Sequence, residues 1–217
     1  MAKIPHTTLL LLILIPILLT PPVLAQSLKL QLIEEESITP NTSPTLLQKE
    51  VSKNSPKDRV TKEPKISISL NSDVIDFGIL TPTNPIIRYS SININSNSPY
   101  YIHSYLDNYL SIKKGYSFIP NTSCDNGICN DTTPGPWIST LTYGLGIKCL
   151  SLTPSSNCLI NTENDKYSTL PLNSHNFTFG KGLNTSSFRI TYKLNSAPSQ
   201  SPGNYENTLY YILIPSL

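Results

Sequence analysis

Cys124, Cys129, Cys149 and Cys158 are the side chains best equipped for chemistry in this sequence, and their spacing decides which chemistry. Thiolates either hold a metal or oxidise in pairs. The two gaps contain four and eight residues, whereas structural zinc sites are built on paired knuckles of about two to four. Four cysteines allow three pairings. The local one, Cys124 with Cys129 and Cys149 with Cys158, closes two short loops, each contributing about 2–3 kcal/mol by restricting the unfolded chain. Inside the first pair, Asp125-Asn-Gly-Ile-Cys-Asn-Asp131 offers the carboxylate and amide oxygens that calcium favours. The EF-hand spacing and its closing Glu are missing, and Asn126-Gly127 serves equally as a turn between bonded cysteines. No metal and no cofactor are expected.

The aromatic residues suggest a second kind of chemistry. Tyr100, Tyr101, Tyr105 and Trp137 are candidate binding residues, because aromatic rings stack on the apolar faces of sugars. Tyr101, His103 and Tyr105 recur every second residue, so a strand puts all three on one face. The same stripe is also the ordinary composition of a half-buried strand face. His175 reads as a strand-end surface residue. The chain offers no recognisable nucleophile–His–acid set, phosphate-cradling glycine loop, HExxH helix or basic nucleic-acid patch. Asn-x-Ser/Thr matches, among them those at Asn121, Asn130, Asn176 and Asn184, are given no role in so Asn-rich a chain. No enzymatic activity is expected.

The elements that must position these residues are strands. Ile66, Ile68 and Leu70 alternate with polar residues, Asn71-Ser-Asp73 signals a turn, and Val74 to Leu80 resumes a strand. Ile86 to Ile94, Tyr100 to Leu106, His175 to Phe179, Ser187 to Leu194 and Tyr205 to Ile214 follow, separated by Pro, Asn, Ser and Gly. Such short β-branched and aromatic runs make an all-β sandwich or barrel. In the last run both faces are apolar, which places it centrally in a sheet or beneath a cover. Pro202-Gly203 reverses the chain ahead of it, so that Tyr205 can pack over the corner and bond to backbone. Residues 120–172 show a poorer pattern and read as a long insert pinned by the disulfides.

Ahead of this domain, residues 1–25 carry Lys3, an apolar run from Leu9 to Leu19 and Val23-Leu24-Ala25, the layout of a cleaved signal peptide. Pro16 and Thr20-Pro21-Pro22 break the run before it could span a bilayer. Residues 26–64 read as a flexible Ser/Thr/Pro/Lys/Glu tether with one short strand-like segment, Leu28-x-Leu-x-Leu32, and the ordered domain is expected over residues 65–217. A strand on a tether could add to a neighbouring molecule's sheet edge; the tether's length and the domain's own closing strand weigh against this. Charged residues are 14% of the chain, against about 25% in an average globular protein. The net charge of +2 points to neither nucleic acid nor an anionic membrane.

Asp76-Phe-Gly-Ile-Leu80 resembles the hydrophobic–Phe-Gly segment that opens pilin-like, spore-coat-U-type domains of bacteria. The ending Pro202-Gly-Asn-Tyr-Glu-Asn-Thr-Leu209 is similar to that group's closing Pro-Gly-x-Tyr-x-x-Thr strand. The same ending beside a Cys-rich middle is similar to uncharacterised secreted proteins of candidate-phylum (Patescibacteria) bacteria. The resemblance spans roughly residues 65–217 but its specific motifs lie at the two ends. It implies an immunoglobulin-like, pilin-like antiparallel β-sandwich without an active site; the cysteine block departs from the family pattern. The expectation is a non-catalytic protein, secreted or at the cell surface, with no membrane span after signal cleavage. Its expected partners are other surface proteins or copies of itself, with a glycan-binding adhesin module as the alternative.

Overall fold

A computed structural model describes residues 28–36, 65–112, 116–159, 165–182 and 184–216. The expected signal segment, and residues 37–64 of the expected tether, lie outside the described residues. Among the described residues there are strands and no helix, hence none long and apolar enough to cross a membrane. In chain order the strands are β1 Leu28–Glu36, β2 Ile66–Leu70, β3 Val74–Gly78, β4 Ile86–Ser96, β5 Tyr100–Leu106, β6 Leu110–Ile112 and β7 Phe118–Ile119. There follow β8 Gly135–Pro136, β9 Gly144–Ser151, β10 Ser156–Cys158, β11 Lys166–Tyr167, β12 His175–Gly180, β13 Asn184–Asn195 and β14 Tyr205–Pro215.

Two sheets enclose one core. Sheet A runs β10-β12-β5-β14-β1-β3, with β6 also on β14 and β7 on β6; sheet B runs β2-β4-β13-β9. The alternation read from the sequence decides which side chains meet between them. Ile75, Phe77, Ile102, Leu106, Phe177, Leu209, Tyr211 and Leu213 come from sheet A. Ile68, Ile92, Ile94, Leu145, Ile147, Phe188, Ile190, Tyr192 and Leu194 come from sheet B, and all belong to one buried cluster. Arg88 on β4 reaches across to β3, its Nε donating to Asp76 O at 2.8 Å. The protein is thus an all-β sandwich, one of the two architectures that the alternating runs allow.

Both disulfides pair locally, Cys124 with Cys129 and Cys149 with Cys158. The second joins β9, an edge strand of sheet B, to β10, an edge strand of sheet A, and so staples one side of the sandwich. Two disulfides indicate an oxidising environment. The corner before β14 is closed as expected: Tyr205 is buried and its hydroxyl donates to Ser201 O, four residues upstream.

Two features differ from the sequence reading. The stretch 120–172 is not wholly an insert, because β9 and β10 within it are members of the two sheets. Leu145, Ile147 and Cys149 are buried at period two, while Gly144 and Gly146 dilute the signal. Second, the sheet begins before Lys65. β1 lies between β14 and β3, antiparallel to β3 but parallel to β14, with Lys29 opposite Glu206 and Glu36 opposite Leu213. β14 is therefore interior to the sheet, as its two apolar faces suggested, and β1 is what covers one of its edges.

Candidate functional surfaces

Apart from Tyr100, the candidate binding residues lie on two opposite outer sides of the sandwich. On β5 the alternation turns Tyr101, His103 and Tyr105 outward and Tyr100, Ile102, Ser104 and Leu106 inward. Tyr100 is 1% exposed, its ring lying over Gly180 on the neighbouring strand, where any Cβ would fall 2.2 Å from the ring. It is a core residue, and the binding role considered for it does not fit its position.

The outward stripe is shared with β14. Tyr210 pairs with Tyr105, Ile212 with His103 and Ile214 with Tyr101. Tyr105 and Tyr210 stack with centroids 4.8 Å apart and planes 8° from parallel. That separation matches the spacing of adjacent strands, about 4.8 Å, so the rings stand face to face, on edge to the sheet. A sugar needs a ring face, and one face of Tyr105 is occupied by Tyr210. His103 Nδ1 lies 3.0 Å from Ser174 Oγ. Burial, then the neighbouring His175, holds His103 below the ordinary histidine range, against a contact with Asn176 that works the other way. These contacts describe a packed strand face; only Tyr101, 41% exposed, offers much of its ring to solvent.

Trp137 is on the other side. The segment from Cys124 to Thr142 folds over the outer face of sheet B, and its anchors are side chains of β13. Asn195 Nδ2 donates to Thr140 O at 2.9 Å and to Thr142 O at 2.7 Å, and Lys193 Nζ donates to Trp137 O at 2.6 Å. Gly146, opposite Lys193 on β9, has no side chain, and the Trp137 ring occupies the space a Cβ there would need, 3.0 Å away. Trp137, Tyr167 and the Cys124–Cys129 disulfide form a small second core in which Trp137 is fully buried. Lys193 Nζ lies 5.0 Å from the Trp137 ring centroid and 5.2 Å from that of Tyr167. Trp137 is thus a packing residue of the insert and not a surface platform, which corrects its reading as a binding residue.

Asp125 holds the same segment together. Its Oδ2 accepts from the Ile138 and Ser139 amides at 2.7 and 3.0 Å, and its Oδ1 accepts from Thr142 Oγ1 at 2.5 Å. Desolvation works to raise its pKa, but these hydrogen bonds and the Lys193 charge together hold it below the ordinary carboxylate range. The carboxylate considered above as a calcium ligand is engaged in turn formation. Burial lowers the Lys193 pKa, countered by Asp125 and Asp165. Lys193 was not singled out from the sequence, although Arg189, Thr191 and Lys193 alternate along β13 with the core residues Phe188, Ile190, Tyr192 and Leu194 and so mark a polar outer face.

No protein-family model matches the chain, and no curated protein matches it.

Proposed function

We propose that this is a non-catalytic structural and interaction protein, secreted behind residues 1–25 and displayed at the cell surface, which associates with copies of itself through β1. The observation that supports this is the placement of β1: a strand far from the domain in sequence fills the slot between β14 and β3, and does so parallel to β14. A parallel neighbour cannot be supplied by a tight turn. It comes instead through residues 37–64, which extended would span at most about 100 Å, enough to reach an adjacent molecule. The slot accepts backbone hydrogen bonds, so it is indifferent to whether the strand belongs to its own chain or to another. In dilute solution the intramolecular strand wins through its high effective concentration; at high density on a surface, exchange between chains becomes competitive.

Deletion of residues 26–36 tests this. The shortened chain should lose concentration-dependent oligomers in light scattering, and a synthetic peptide of residues 26–36 should bind to it and raise its melting temperature. The same oligomer distribution for full-length and shortened chains would overturn the proposal.

A further inference from the structure

We infer that the outer face of sheet B carries a binding site for an acidic sugar, in the cavity where the disulfide-pinned segment stops and the bare sheet begins. The register of three strands lays out its floor. One cross-strand row is Ile87–Lys193–Gly146, the next Tyr89–Thr191–Lys148, and the third Ser91–Arg189–Leu150. Trp137 fills the first row, over Gly146. The second and third are open and leave a cavity of about 330 Å³ bordered by Tyr89, Lys148, Asp165, Tyr167, Arg189 and Thr191. That is at the small end of the range for ligand pockets, about 300–1,000 Å³, and suits one or two sugar rings.

The chemistry of the lining selects the ligand class. Lys148 and Arg189 are diagonal neighbours across the β9–β13 pair, about 7–8 Å apart at the backbone, so both heads can converge on one anionic group. Neither has a carboxylate partner among the described residues; Lys148 Nζ lies 5.3 Å from the Tyr167 ring centroid. The planar Arg189 fork matches a carboxylate bidentately. Two cations alone would accept any anion. Asp165 on the rim disfavours sulfate, which brings only acceptors to it, and favours a ligand whose hydroxyl groups donate. Tyr89, 60% exposed, gives the site an aromatic wall. Carboxylate, hydroxyl donors and an apolar ring face occur together in uronic and sialic acids.

The site is independent of strand exchange by β1, and its test is separate. Glucuronic acid, galacturonic acid and N-acetylneuraminic acid are titrated into the full-length, disulfide-bonded protein by calorimetry and ligand-observed NMR, beside glucose, acetate and sulfate. At least one acidic sugar should bind saturably at millimolar concentration or below. Arg189→Gln and Tyr89→Ala, both at exposed positions, should each weaken it tenfold or more with an unchanged melting temperature. The inference is overturned if no acidic sugar binds, if glucose, acetate or sulfate binds as well as the sugar acids, or if Arg189→Gln leaves affinity unchanged.

Discussion

At the scale of single residues, the hydroxyl of Tyr192 is the middle member of a buried chain that crosses the core. It lies 2.9 Å from Ser90 Oγ and 3.0 Å from Tyr211 Oη, so it links sheet B to sheet A. Tyr192→Phe would leave two buried hydroxyls short of a partner, which costs about 1–3 kcal/mol at neutral pH in a denaturant titration. Burial pushes the Tyr192 pKa up to about 12, with the two hydrogen bonds working in the opposite direction, and raises that of Tyr211 well above its ordinary value. Because the folded state holds these protons more tightly than the unfolded one, their contribution is intact below about pH 10 and is lost as pH rises towards 12. For Tyr192 the loss is of order 2 kcal/mol. Ultraviolet titration should therefore show two classes of tyrosine, the buried ones ionising only as the near-ultraviolet dichroism collapses. Uniform ionisation near pH 10 in a protein that keeps its dichroism would contradict this placement.

At the scale of elements, the two disulfides do different work. Cys149–Cys158 ties sheet to sheet, whereas Cys124–Cys129 braces the small core that holds Trp137. Trp137 is the only tryptophan, so its fluorescence reports on that core alone. Replacing Cys124 and Cys129 together by Ser should shift the emission to the red and cost about 2 kcal/mol, with the far-ultraviolet strand signal retained. An unshifted spectrum would mean that the segment is held by Lys193, Asn195 and Asp125 without the bridge. Emission and strand signal lost together would mean that it is integral to the sandwich.

What could be read in advance follows from whether a signal was local. Alternation along Tyr100–Leu106 shows that Tyr101 and Tyr105 share the outer face, and the same parity already turns Tyr100 inward. β9 was obscured because two of its positions are glycines that make room for neighbours instead of packing themselves. The burial of Trp137 had no period to announce it, since it depends on a gap left by Gly146 on another strand. The polar row Arg189, Thr191 and Lys193 was visible as alternation, but its meeting with Tyr89 and Lys148 depends on register between strands distant in sequence.

At the scale of the whole molecule, the parallel pairing of β1 with β14 determines how the protein would carry load. Leu28 is at one end of β1 and Pro215 at the far end of β14, and the strands run in the same direction. Tension applied between Leu28 and Pro215 therefore slides the two strands past each other along their length. The evenly spaced hydrogen bonds of a parallel ladder are then stretched together, not opened one after another like a zip. Forced unfolding is governed by the height of that barrier. Pulling between residues 28 and 215 in a single-molecule experiment should give a high rupture force, and pulling across β12 and β10 at the sheet edge a much lower one. Equal forces in the two directions would show that β1 bears no load. A protein anchored at one end and gripped at the other would meet drag with its strongest seam.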